Sequence, residues 1–154
     1  MSFRLRSWNE DRLVRRVPER ILKDYGYIIA VQLQNEIASS QFPWPRDTLR
    51  SGGGRTRLVK RGKRDIIDSG QFADSQTPPK VSSEDGKPSL RMGWTAPYAT
   101  DIFTGSSAEE FVSNRGIVRY GDQPPRDWIA PALKAQPFEP YFLKRWQELE
   151  GGRG

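Results

Sequence analysis

Residues 18–39, PERILKDYGYIIAVQLQNEIAS, decide the fold because their apolar side chains repeat with the period of an α-helix. The residues of the apolar face are spaced by three or four positions: Leu22, Tyr25, Ile29, Leu33 and Ile37. Ile21 and Ile28 widen this face, and Pro18 suits the first turn of a helix. Gly26 disfavours the helix by about 1 kcal/mol relative to Ala. We therefore expect a helix over about 18–39 with one buried face.

The segment before this helix predicts an N-terminal arm. Ser7-Trp8-Asn9-Glu10 fits a capping box, in which the Ser and Glu side chains each accept a hydrogen bond from a free backbone N–H. A short helix over about 8–16 is therefore expected within residues 1–17.

The chain after the helix predicts a small antiparallel sheet followed by helices. Strands are expected near 76–82 and 88–95, joined by a hairpin turn at 83–87, and another strand at 116–120. Helical segments are expected at the following places: after Gly70, at 98–103, at 128–133 and at 140–149. Residues 150–154, rich in Gly, are expected to form a disordered tail. The fold class is therefore α+β, a single domain over 1–154 with its N-terminal helix packed on the sheet.

The composition excludes most catalytic chemistry. The 154 residues contain no cysteine and no histidine, which excludes disulfides, thiolate–zinc sites and the usual Ser-His-Asp and Cys-His groupings. Carboxylate chemistry is the remaining enzymatic option, and Asp65, Asp68 and Asp101 are the candidates for a Mg²⁺ nuclease site. The alternative interpretation, which we favour, is that these are turn and cap residues. We expect no enzyme activity, no cofactor and no metal.

Positive charge is concentrated in one segment. The chain has a net charge of +6, and residues 46–64 alone carry +7. With Gly52-Gly53-Gly54 in its middle and few apolar residues, this segment is expected to be a long flexible loop. The expected contacts with DNA phosphates or an acidic partner are Arg50, Arg55, Arg57, Lys60, Arg61, Lys63 and Arg64. A solvated loop without a partner is the alternative.

Aromatic residues are concentrated between residues 94 and 146, many of them next to Pro or Gly. They either all belong to the core or include a few anchors of a subunit interface.

Three short stretches of the sequence, here called boxes, resemble one protein family. Asp68–Ser75 reads DSGQFADS, Trp94–Gly105 reads WTAPYATDIFTG, and Pro125–Leu133 reads PRDWIAPAL. In this order they resemble the boxes of tailed-phage neck and tail-completion proteins, also described as head–tail connectors or minor-tail-like proteins. Residues 46–64 and 106–123 do not resemble the family.

The resemblance implies a small α+β virion protein without catalytic residues. It implies turns at Gly70 and Gly105, packing anchors at Tyr98 and Trp128, and the end of a helical turn at Pro131. The other fold or interface residues that it implies are Phe72, Trp94, Pro97, Phe103, Pro125 and Arg126.

The expected function is to form a ring, six-fold favoured and twelve-fold as an alternative, at the head–tail junction. Its expected partners are further copies of the chain, head-completion or adaptor proteins, tail-terminator or tail-tube proteins, and non-specifically the packaged DNA. The expected location is the neck of the virion, with the host cytoplasm during assembly. The sequence shows neither a signal peptide nor the roughly 18 consecutive apolar residues of a membrane helix, so no membrane partner is expected. The alternative is a stand-alone, non-specific DNA-binding protein.

Overall fold

The long amphipathic helix is present in the structure, a computed structural model that describes residues 1–6, 16–52, 55–67, 70–85, 87–105, 109–113, 116–120 and 124–151. This helix, α1, spans Arg16–Ala38. The five residues of its predicted apolar face are all buried, as is Ile21. Ile28 is 36% exposed, so the prediction that it widens the buried face is wrong. Ile28 lies at the edge of the apolar face of α1, on the side that borders the solvent.

A three-stranded antiparallel sheet packs against α1. Its strands are β1 (Ser2–Arg6), β6 (Lys80–Glu84) and β7 (Lys87–Gly93), in the order β1-β7-β6. The predicted hairpin is confirmed, because Glu84 pairs with Lys87 and Asp85 in the turn has a positive φ of 52°. Leu90 and Met92 of the central strand are buried beneath α1. The α+β fold with an N-terminal helix on a small sheet is therefore confirmed.

The first residues form an edge strand, which corrects the expected N-terminal arm. Ser2 pairs with Gly93 and Arg6 with Ser89, in continuous register with β7. The alternation of Phe3-Arg4-Leu5-Arg6 is the period of a strand, and this signal was missed. Most of the predicted helix over 8–16 lies outside the described residues.

The basic segment consists largely of paired β-strands, so the prediction that it forms a long loop is wrong. Its strands are β2 (Phe42–Trp44), β3 (Thr48–Gly52), β4 (Arg55–Val59) and β5 (Gly62–Arg64). β2 pairs with β5 and β3 with β4, both antiparallel. The two pairs are nested, so residues 42–52 and 55–64 form one two-stranded ribbon, here called the basic ribbon.

The remaining elements follow the sequence expectations closely. They are α2 (Gln71–Asp74), α3 (Ala99–Thr104), β8 (Glu109–Ser113), β9 (Gly116–Tyr120), α4 (Ile129–Ala135) and α5 (Phe138–Gly151). The predicted helices and the strand at 116–120 are present, and β8, which pairs with β9, was not predicted. The expected disordered tail is wrong for residues 150–151, which belong to α5; residues 152–154 lie outside the described part.

α1 packs on one side against β6 and β7 and on another against α4 and α5. The Tyr25 hydroxyl donates a hydrogen bond to the carbonyl of Gln136, just after α4. Arg145 of α5 lies 3.2 Å from the Asp24 carboxylate on α1. Among the described residues, no helix is long and apolar enough to cross a membrane.

Candidate interfaces: the basic ribbon and the aromatic cluster

The basic ribbon presents its cations to solvent. The exposed members of the predicted contact set are Arg55, Arg57, Lys60, Arg61 and Lys63. Arg64 is half-buried. The backbone of Arg50 lies opposite Arg57 in the register of β3 and β4, and its side chain lies outside the described part. The ribbon thus brings the predicted set together on one narrow element.

The two strands of the ribbon are unequal in length at its middle. Between the pairs Trp44–Gly62 and Thr48–Val59, residues 45–47 lie opposite only Lys60 and Arg61. One strand therefore has one residue more than the other, as in a β-bulge. A β-bulge bends the ribbon and redirects its side chains. The irregular region lines a pocket of about 600 Å³, here called the notch, formed by Pro45, Arg46, Asp47, Lys60 and Arg61.

Asp47 holds the two sides of the notch together. Its Oδ1 accepts a hydrogen bond of 2.7 Å from the backbone N–H of Arg61, and its Oδ2 lies 3.2 Å from the Lys60 ammonium. The Arg61 hydrogen bond first, and then the Lys60 hydrogen bond, lower the pKa of Asp47 below its ordinary 3.8. The carboxylate is therefore ionised at neutral pH.

Trp44 and Arg126 attach the base of the ribbon to the body. The Arg126 guanidinium lies 3.9 Å from the centre of the Trp44 ring, and the Arg64 guanidinium lies 4.5 Å from it. The Arg126 Nε donates to the carbonyl of Pro43 at 3.2 Å, and its backbone N–H donates to Ile102 at 3.0 Å. The sequence identifies Arg126 only as a motif residue. No local pattern indicates that it contacts Trp44, which lies 82 positions earlier in the chain.

Arg126 is a buried cation. Burial, and then the nearby charge of Arg64, lower its pKa from its ordinary value to about 10. It therefore keeps its charge at neutral pH, where the π-face of Trp44 and the Pro43 carbonyl replace part of its hydration.

Residues from all three resemblance boxes meet in one aromatic cluster. Trp128 is fully buried, and three rings contact it edge-to-face: Phe72 at 4.9 Å, Trp94 at 5.1 Å and Phe103 at 5.5 Å between ring centres. Tyr98 lies 6.5 Å from Phe72 and is 36% exposed, and Phe103 is partly buried. Of the two interpretations of the aromatic residues, core packing applies to Trp94 and Trp128.

The turn residues implied by the resemblance are placed as follows. Gly70 and Gly105 have positive φ angles of 89° and 78°, which favour glycine. Pro97 and Pro125 are exposed in the connections before α3 and α4. The expectation for Pro131 is wrong, because it lies in the first turn of α4 rather than at a helix end. A proline is tolerated there, since the N–H it lacks would have no partner within the helix.

The carboxylates proposed for a nuclease site have other contacts. Asp65 accepts a hydrogen bond of 3.0 Å from the N–H of Ile67, and Asp101 is exposed in α3. Asp68 lies outside the described residues. In the part of the chain that the structure describes, no three carboxylates are grouped to hold a metal ion.

Comparisons with known proteins found no matching family model, no matching curated protein and no matching solved structure.

Proposed function

We propose that this protein is a structural virion protein of a tailed phage that forms a ring at the head–tail junction and joins the tail to the DNA-filled head. The observation that carries the proposal is the aromatic cluster. Phe72, Trp94 and Trp128 come from three boxes far apart in the chain and contact one another. Boxes that determine one shared fold should converge in this way, and the boxes are the stretches in which the chain resembles neck and tail-completion proteins.

The helices carry exposed apolar side chains that are suited to contacts between copies of the chain. Tyr27 and Val31 on α1 are 58% and 63% exposed, and Leu143 on α5 is 54% exposed. Tyr27 and Val31 are one helical turn apart and therefore form a continuous apolar patch. Exposed apolar patches are typical of surfaces that bind other proteins.

The proposed mechanism is assembly. A contact between two different surfaces of the same chain closes into a ring when the rotation between copies allows it. A ring repeats each weak contact once per copy, so the whole assembly binds a neighbouring ring far more tightly than one subunit does. The proposed neighbours are head-completion or adaptor proteins on one side and tail-terminator or tail-tube proteins on the other.

Native mass spectrometry of the full chain, alone and with candidate neighbours from its gene cluster, tests this proposal. We expect a ring of six copies, or of twelve, to form or to be captured by one neighbour. Val31→Asp should abolish the ring, while Ser83→Asp, which adds the same charge at an exposed position of β6, should preserve it. A monomer in every mixture that binds DNA with a steep salt dependence would instead establish the stand-alone DNA-binding protein.

A further inference from the structure

The notch of the basic ribbon holds three cations, Arg46, Lys60 and Arg61, against the single carboxylate of Asp47. Asp47 is engaged by Lys60 and by the backbone N–H of Arg61. Arg46 and Arg61 are exposed, and neither side chain forms an ion pair within the described part of the chain. Two arginines in one concave surface match the oxygens of a phosphate group, to which guanidinium donates paired hydrogen bonds.

The ribbon beyond the notch carries two further exposed cations, Arg55 and Arg57 on β4. With the cations of the notch they concentrate positive charge on one narrow element, and like charges held close together repel one another. Among the side chains that the structure describes in this segment, at 45–48 and 55–64, none belongs to the buried core, so packing against the body does not offset this effect. A polyanion lying along the ribbon would offset it.

We propose that the notch binds a phosphate group of a nucleic-acid backbone, with Arg46 and Arg61 as the direct ligands, and that the exposed arginines of β4 contact the phosphates that follow. Asp47 acts as the positioning residue, because it holds the Arg61 backbone and the Lys60 side chain in place. This inference goes beyond assembly and does not require a ring.

The shape and composition of the ribbon favour nucleic acid over an acidic protein. The major groove of DNA is about 12 Å wide and admits a two-stranded β-ribbon. Protein interfaces depend on buried aromatic and apolar anchors, whereas Leu58 is the exposed large apolar side chain among the described residues of the ribbon. Residues 46–64 contain no Asn or Gln, the side chains that recognise adenine edges, and the contacts proposed for the arginines are to phosphates, which carry no sequence information.

Fluorescence anisotropy with a labelled random duplex of about 20 base pairs tests the inference on the full chain. The double variant Arg46→Gln/Arg61→Gln should weaken binding at least about tenfold, the factor expected from one lost charge-assisted contact. The slope of log K against log salt should fall by about 1 per lost phosphate contact. The matched control Arg20→Gln/Arg91→Gln removes two exposed arginines outside the ribbon and should change affinity less than about twofold.

Three results would overturn the inference. One is an equal loss of affinity in both double variants, which would show that affinity depends on net charge alone and not on the notch. Another is competition by polyglutamate of matched charge as strong as that by unlabelled DNA, which would indicate an acidic protein partner. The third is no binding of the duplex by the wild-type chain at low salt. None of these bears on ring formation, which is measured separately by mass.

Discussion

At Gly26, helix propensity and packing act in opposite directions. A Cβ added there would lie 2.7 Å from the Cβ of Pro79 and 3.0 Å from the Cδ1 of Leu90. The glycine therefore allows α1 to approach the sheet closely. Gly26→Ala should gain about 1 kcal/mol of helix propensity but lose more through overpacking, about 1–3 kcal/mol. We expect a net loss of stability in urea unfolding.

Gly151→Ala is the matched control for this variant. Nothing lies within 4 Å of a Cβ at the end of α5, so the change in unfolding free energy should stay within about 0.5 kcal/mol. A Gly26→Ala protein more stable than the wild type would show that α1 and β7 can separate without cost.

Trp128 is the residue with the clearest packing role. Trp128→Ala should lower the unfolding free energy by roughly 3–5 kcal/mol, because it removes a fully buried ring from among three others. Its Nε1 has no hydrogen-bond partner among the described residues, so Trp128→Phe abandons no hydrogen bond and should cost only about 1–2 kcal/mol. Chemical denaturation of both variants gives the comparison, and equal losses would contradict it.

At the scale of an element, the bulge of the basic ribbon depends on one carboxylate. The pKa of Asp47 is lowered in the folded chain, so its stabilising effect is fully present above about pH 3.8 and is lost as the pH falls through the lower folded value. The amide signal of Arg61 should therefore titrate with a midpoint below 3.8. Asp47→Asn should remove the titration; a midpoint at or above 3.8 would exclude the two hydrogen bonds.

The outer half of the basic ribbon is separable from the body. Thr48 and Val59 are direct partners across the strands, so an Asn-Gly turn can join them in place of residues 49–58. Of the removed residues, those whose side chains the structure describes, 55–58, do not belong to the core. We expect the shortened chain to retain its thermal midpoint within a few degrees and its aromatic near-ultraviolet circular dichroism. Loss of the folded state would show that the ribbon supports the body.

At the scale of the whole molecule, one core cluster joins most of the elements. It includes residues of α1, β2, α2, β7, α3 and α4, and residues of β1, β6 and α5 pack against it. A single shared core predicts one cooperative unfolding transition. Near- and far-ultraviolet circular dichroism should therefore give the same midpoint, and two separated midpoints would indicate two units.

Much of the local structure was readable from the sequence. The spacing of the apolar residues predicts α1, and the turn residues between 83 and 87 predict the β6–β7 hairpin. Gly70 and Gly105 indicate turns. These features depend on neighbours within a few positions, where side-chain spacing and backbone preference act directly. The cations of the candidate interface were equally readable, because charge is a property of composition.

The tertiary structure alone decided how distant segments meet. The pairing of Phe3 with Met92 made β1 a strand. The stacking of Arg126 on Trp44 attached the ribbon to the body, and the contact with Pro79 explained Gly26. The pairing of β3 with β4 turned a chain with few apolar residues into a ribbon, and the bulge placed Arg46 and Arg61 in one notch. Such contacts join residues that are far apart along the chain. A local sequence pattern depends only on neighbouring residues, so it does not indicate which distant residue a side chain will contact.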